Sequence, residues 1–309
     1  MELIRRLDSA QTRDCVVTIG SFDGIHIGHR ALIERLRGHA RRLSLPAVVL
    51  SFEPLPREYL RAADPPARLT NLRERWRVLE GSGVEQLCLL PFNARLRGLS
   101  AVEFMQLLHA ARARVVVIGH DFRFGRGGAA SAEWCAEQAA GFGFSVDVMD
   151  PLLLDGERVS SGRVRQALGA ADLRLAARLL GRPYSMRGRV RLGNRLGRRL
   201  GFPTANLALK RRRTPLDGVF AVRVNGPGFG RWPGVASLGT RPTVDGKELL
   251  LEAHLFDFER DLYGHELEVQ FVARLRSEQK FESLEAMVQQ MQLDAALSRR
   301  MLEQSEESE

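Results

Sequence analysis

Two histidines three residues apart, His26 and His29, stand in GSFDGIHIGHR (residues 20–30), where an apolar strand pattern gives way to a helical one. Gly20, Gly24 and Gly28 surround the pair. Glycines at a strand-to-helix turn let backbone N–H groups and a helix N-terminus face an anion, and imidazoles at i and i+3 share one face once the helix begins. Groups aimed in this way at one phosphorus can stabilise the charge that develops during phosphoryl displacement. The spacing is not that of a dinucleotide-binding glycine loop, nor of a P-loop, because no Lys-Ser/Thr pair follows. A lone histidine usually fills space; two around a glycine, at the carboxyl end of a first parallel strand, weigh toward chemistry.

Late in the same half, RVSSGRVRQAL (158–168) opens another helix. Ser160 and Ser161 can cap it and leave N–H groups and hydroxyls for a phosphate, while Arg165 adds a fork-shaped cation. Capping alone accounts for the serines equally well. Between the two segments, GHDFRFGRGG (119–128) is a polar, glycine-rich loop at a strand end. A second constellation lies in GRVRLGNRLGRRLGFPTANLAL (188–209), with Gly193, Gly197 and Gly201 at intervals of four before Phe202, Pro203, Thr204, Ala205 and Asn206. If extended, Thr204 and Asn206 point to one side and offer a hydroxyl and an amide oxygen suited to a hydrated magnesium ion. Glycines between short strands can also be plain turns. Further on, Glu252 is a single carboxylate in the otherwise apolar run LLLEAHLFDF (249–258) up to Phe256.

The elements that must position these groups divide into two textures. In the first half CVVTIG (15–20), AVVLSF (47–52), EQLCLLPF (85–92), RVVVIG (114–119) and FSVDVM (144–149) read as buried strands. Helical patterns fall between them, with Thr70 and Ser100 as expected N-caps. Strand and helix in alternation predict a parallel sheet covered on both faces, which binds ligands at the carboxyl ends of its strands. Two short helices are expected over 160–184. Short strands with Gly and Pro punctuation then predict a small antiparallel barrel or sandwich, closed by a helix over roughly 283–304 and a frayed tail, EQSEESE. The expected domains are 1–182 and 183–309.

At 309 residues and 44% hydrophobic content, two globular domains of ordinary size are expected. The start of the chain does not read as a leader, and no run approaches the roughly 18 apolar residues of a membrane span, so a soluble cytoplasmic protein is expected. Cys15, Cys88 and Cys135 lie far apart within or beside apolar stretches, as reduced core thiols do. The net charge is +9 and lysine occurs only at 210, 247 and 280. This balance suits anionic partners without separating nucleic acid from nucleotide phosphates. The run Lys210-Arg211-Arg212-Arg213 lacks aromatics for base stacking and reads as a solvated loop.

GSFDGIHIGHR resembles the HxGH signature of nucleotidyltransferases, in the form found in the prokaryotic bifunctional riboflavin kinase/FMN adenylyltransferase family. RVSSGRVRQAL, GHDFRFGRGG and SFEPLPREYL (51–60) are similar to further motifs of that family, and the segment from Gly201 to Asn206 matches its Gly-Phe-Pro-Thr-Ala-Asn motif. GTRPTV (239–244), DLYG (261–264) and LRSEQKFESLEAM (275–287) follow it too. The resemblance implies a Rossmann-like nucleotidyltransferase domain followed by a riboflavin kinase barrel. In the first, His26 and His29 would act on the α-phosphate of ATP. Gly20, Phe22, Asp23, Gly28, Asp121, Arg123, Arg158, Ser161 and Arg165 would bind nucleotide and phosphate. In the second, Glu252 would take the proton of an alcohol attacking a γ-phosphate. Thr204 and Asn206 would hold Mg²⁺, and Gly193, Gly197, Gly201, Pro203 and Asn206 would line the ATP and flavin site. Riboflavin, FMN and ATP are the implied partners, with FMN and FAD as products and not prosthetic groups; no membrane or nucleic acid is implied. Gly162 and Leu55 depart from the motifs, which raises the alternative of a kinase with an impaired adenylyltransferase domain. A class I aminoacyl-tRNA synthetase also carries HxGH, but this chain lacks a Lys-Met-Ser-Lys-Ser loop and an anticodon-sized domain.

Overall fold

A computed structural model of the chain describes residues 1–5, 13–193, 197, 200–243 and 246–306. Two compact units form, one from residues 1–66 with 75–161, the other from 67–74 with 162–309. In the first, strands β1 (Glu2–Ile4), β2 (Cys15–Ile19), β3 (Ala47–Glu53), β4 (Gln86–Pro91), β5 (Ala113–Gly119) and β6 (Ser145–Met149) form one sheet in the order β1-β4-β3-β2-β5-β6. Every pairing is parallel. The expected strands are present; β1, three residues at the edge, carries no readable pattern.

Because successive side chains alternate, each strand feeds two cores. Val17, Ile19, Val116 and Ile118 pack with Phe104, Met105 and Leu108 of a helix at Ala101–Ala110. Val16, Val49 and Val117 pack with Leu32, Ile33 and Leu36 of helix α1 (Ile27–Leu43). Ser100 caps its helix as expected, in a reciprocal box with Glu103. Thr70 does not cap the helix at Leu72–Glu80. Asn71 does, its side chain accepting the Glu74 N–H at 3.0 Å while the Glu74 carboxylate accepts the Asn71 N–H at 2.7 Å. The reciprocal carboxylate favours Asn71 over the preceding threonine. All three cysteines are buried and unpaired.

A short antiparallel hairpin, β7 (Leu153–Leu154) and β8 (Glu157–Arg158), ends the first unit. The second unit holds a closed antiparallel barrel of six strands, β9 (Ser185–Arg191), β10 (Ala205–Ala208), β11 (Gly218–Gly226), β12 (Phe229–Thr243), β13 (Gly246–Leu255) and β14 (Glu266–Arg276). Closure removes exposed sheet edges. A C-terminal helix runs from Leu284 to Glu306, so most of the tail expected to fray continues that helix; residues 307–309 lie outside the described residues. Two helices, Ser161–Gly169 and Leu173–Leu180, come before the barrel as expected.

The basic run at 210–213 is not uniformly solvated. The Arg211 side chain is 0% exposed and binds both carboxylate oxygens of Glu74, at 2.7 and 2.5 Å. It also donates to the Tyr184 hydroxyl at 3.2 Å, and Glu74 accepts the Arg187 N–H at 2.8 Å. Removing one partner of a buried pair strands the other's charge. Arg211→Ala is therefore expected to cost about 3 kcal/mol, the low end of that class because backbone amides still serve Glu74, as a lowered urea midpoint. Glu74→Leu combined with Arg211→Met should cost less than either change alone.

Candidate active sites

β2 lies between β3 and β5, and the chain runs from β2 to β3 on one side before crossing to β5 on the other. That reversal makes the carboxyl ends of β2 and β5 the crevice where open parallel sheets bind ligands. The loop after β2 carries the histidine pair; the loop after β5 carries Asp121 and Arg123. Arg123 is exposed.

The first loop is bent tightly, with Phe22, Gly24 and Ile25 at φ of 48°, 83° and 44°. Two non-glycine residues in the left-handed region are held only where surrounding contacts over-determine them. Phe22 and Ile25 are fully buried, and Asp23 nearly so. His26 is the N-cap of α1, its Nδ1 accepting the His29 N–H at 3.2 Å. An accepting Nδ1 is unprotonated, so in the neutral ring the proton sits on Nε2, a donor of the type that can stabilise an anion. The His26 and His29 rings stack with centroids 3.7 Å apart and planes 14° apart. Gly28 leaves room for this, since a Cβ there would lie 3.2 Å from the His26 ring. No acidic residue occupies the first turn of α1 to compete with an anion at its N-terminus.

His29 Nδ1 is buried and has no hydrogen-bond partner among the described residues. Burial first, and the neighbouring His26 second, hold the His29 imidazole well below the usual histidine range. Such a ring remains neutral near pH 7, and the unfolded chain takes up the proton first as the pH falls. Its contribution to stability is thus present above about pH 6.5, the unfolded value, and is lost as the pH falls through the folded value. His29→Phe should flatten the acid-side fall of Tm relative to the parent between about pH 7 and 5; an unchanged slope would mean that His29 titrates freely.

The late segment reaches the same loop. Ser161 Oγ donates to the Asp23 carbonyl at 2.9 Å, so its hydroxyl anchors the loop in this state. Arg158, on the short hairpin Leu153–Leu154/Glu157–Arg158, forms an ion pair with Asp121. Of the residues expected here, Gly20, Phe22, Asp23, His26, Gly28, His29, Asp121, Arg123, Arg158 and Ser161 thus belong to the first unit. Arg165 belongs to the second, where its Nε donates to the Ala67 carbonyl at 2.6 Å. Leu55 is 5% exposed and offers no polar group.

In the barrel, Asn206 of β10 pairs in register with Glu252 of β13, which pairs with Ser237 of β12. Their neighbours Ala205, Leu207, Leu251 and Ala253 fill the interior, so Asn206 and Glu252 lie half-buried on the outer face. The glycines before them are explained by close approach as well as by turns. A Cβ on Gly193 would lie 2.6 Å from the Asn206 amide nitrogen, and one on Gly197 would run into the Phe202 carbonyl, 3.4 Å from Thr204 Oγ1. Gly201 is the turn, at φ 83°. Residues 194–196, 198 and 199 of this loop, and Val244 of GTRPTV, lie outside the described residues. Pro203 is fixed through its carbonyl, which lies 2.8 Å from His254 Nδ1.

Sequence reasoning missed His254, although its place two residues after Glu252 puts it on the same outer face. It also missed Glu278, whose carboxylate accepts from Ser237 Oγ at 3.2 Å and occupies the space that a side chain on Gly239 would need. No local pattern in the sequence marks that contact.

Comparison with known proteins divides the chain in the same sense. The FAD synthetase family model matches residues 8–163, and the riboflavin kinase family model matches residues 180–302. A curated relative from Pseudomonas fluorescens, named bifunctional riboflavin kinase/FMN adenylyltransferase, is 46% identical over 305 residues, 97% of each chain. One of the same name from Escherichia coli K12 is 42% identical over 306 residues, again 97% of each. A crystal structure from Streptococcus pneumoniae, described as a macrolide-efflux protein, superposes with a TM-score of 0.81 at 34% identity, covering 96% of this chain and 98% of that one. Among the described residues here, no helix is long and apolar enough to cross a membrane.

Proposed function

Since the chain belongs to the bifunctional riboflavin kinase/FMN adenylyltransferase family, we propose that its two activities run in the two centres described above, divided at 182/183. The chain phosphorylates riboflavin to FMN and adenylylates FMN to FAD. The observation that carries the first assignment is the stacked histidine pair at the start of α1. There FMN's phosphate oxygen attacks the α-phosphorus of ATP, the bond to the β-phosphate breaks, and pyrophosphate leaves. His26 Nε2–H, His29 and the first N–H groups of α1 stabilise the charge on the α-phosphate. Arg158, released from Asp121, binds the triphosphate, with Ser161 completing the site. FMN attacks directly, so no covalent enzyme intermediate is needed.

In the barrel, Glu252 accepts the proton of the riboflavin 5′-hydroxyl as its oxygen attacks the γ-phosphorus and ADP leaves. Thr204 and Asn206 offer neutral oxygen donors, and the backbone comes so close at Gly193 and Gly197 that no side chain fits there; such oxygens suit a hard divalent cation bound along with phosphates. They would hold Mg²⁺, which when bound neutralises triphosphate charge. The enzyme is cytoplasmic, using riboflavin, FMN and ATP.

The alternative raised by Gly162 and Leu55, a kinase with an impaired adenylyltransferase, gains no support from the comparisons. Purified protein given FMN and ATP·Mg²⁺ is expected to form FAD and pyrophosphate in equal amounts; neither appearing would defeat the assignment of the first unit.

A further inference from the structure

Arg75 is 1% exposed, one of the largest fully buried side chains of the chain. Its Nη1 donates to the Ser21 carbonyl at 2.8 Å and to Ser51 Oγ at 3.1 Å. Its Nη2 reaches Glu53 Oε2 at 2.9 Å, and both nitrogens lie 3.4 to 3.5 Å from the Phe52 carbonyl. One guanidinium thus ties together the carboxyl ends of β2 and β3. Ser51 Oγ adds a second bond to the Ser21 carbonyl, at 3.3 Å.

The Ser21 carbonyl belongs to the peptide plane leading into Phe22, the first left-handed residue of the histidine loop. The Phe22 ring packs on the His29 ring at 5.0 Å. A buried cation holding that plane fixes Phe22, and Phe22 limits where His29 can stand. A strained loop persists only when such contacts over-determine it, and a misplacement of about 1 Å in a transition-state donor can cost about a hundredfold in rate.

We infer that Arg75 is a positioning residue for adenylyl transfer, which acts through the Ser21 carbonyl and Phe22 to set the histidine pair against the α-phosphate. The inference rests on the assignment of His26 and His29 to that reaction. Arg75 does not touch the reacting atoms.

The test compares Arg75→Gln, Arg75→Lys and His29→Ala in the full chain, with Tm and the backbone amide NMR signals of the first unit as the control for its folding and FMN formation from riboflavin as the control for the barrel. Arg75→Gln is expected to lower kcat for FAD formation at least tenfold with little change in the KM for ATP, to leave FMN formation within twofold, and to shift the imidazole NMR signals of His26 and His29. Arg75→Lys, which keeps a cation able to donate to the Ser21 carbonyl, should recover most of the rate and of the histidine signals. Wild-type kcat in Arg75→Gln, a lysine variant no better than glutamine, or a parallel loss of both activities with falling Tm would overturn it. So would failure of both variants to fold, since Arg75 would then serve stability at large. If His29→Ala itself makes FAD normally, the underlying assignment fails; if it does not and Arg75→Gln does, only the present inference fails.

Discussion

Replacing Glu252 by alanine is expected to abolish measurable phosphorylation of riboflavin while the same protein converts supplied FMN to FAD at the parental rate. General-base catalysis is worth about 10² to 10⁴ in rate, or roughly 3 to 5 kcal/mol of barrier at about 1.36 kcal/mol per decade. The loss should fall on kcat with the KM for riboflavin little altered, because a base that acts on the hydroxyl proton contributes in the transition state and not in ground-state binding. The register supports the choice of residue: Glu252 is paired with Asn206 on one side and Ser237 on the other, on the outer face of the barrel. Thr204→Ala should also abolish FMN formation, and in its case added magnesium should recover part of the rate. Parallel steady-state assays of FMN from riboflavin and FAD from FMN check both. A fall in FAD formation from supplied FMN in a folded variant would break the assignment of Glu252 and Thr204 to one centre.

Replacing His26 or His29 by alanine is expected to do the converse, cutting FAD synthesis about 10² to 10³-fold per donor removed and sparing riboflavin phosphorylation. The two histidines are not equivalent. His26 also caps α1 through Nδ1, so His26→Ala loses a cap, at about 1 kcal/mol, as well as the donor. His26→Asn separates these effects, because asparagine is as good a cap but cannot place a donor where Nε2 stands. It should recover Tm and not the rate. His29→Ala should lower the rate without the cap penalty. Rate and Tm recovering together in His26→Asn would mean that His26 serves α1 and not the reaction.

Where the pattern was local, the sequence was readable. The alternation of β-branched runs with helical spacing pointed to the sheet, and the glycine and proline punctuation pointed to the barrel, since period and turn chemistry are properties of short segments. β10 was harder, because four residues, Ala205–Ala208, are too few for a period, and its place in the barrel comes from pairing with β9 and β13. The histidine pair and the Thr204–Asn206 segment stood out because close spacing made them visible. Arg75, Arg211 and Glu278 did not, for a common reason. Buried and exposed arginines look alike in a chain with 46 lysines and arginines, and what separates them is a carbonyl or carboxylate brought near by the fold. The cap at Asn71 beside Thr70 turned on Glu74, whose other partners, Arg187 and Arg211, are remote in sequence.

Two chemically separate centres in one chain can be tested directly by following label from ATP radiolabelled at either the γ- or the α-phosphorus, with riboflavin and FMN as alternative acceptors. In the parent, γ-label from ATP and riboflavin should enter FMN and pass with it into FAD, while α-label enters FAD alone. Glu252→Ala should put no γ-label into flavin, yet still place α-label in FAD when FMN is supplied. His29→Ala should build γ-labelled FMN at the parental rate and labelled FAD about 10² to 10³-fold more slowly. Loss of both labels from flavin in either folded variant would contradict the two-centre assignment.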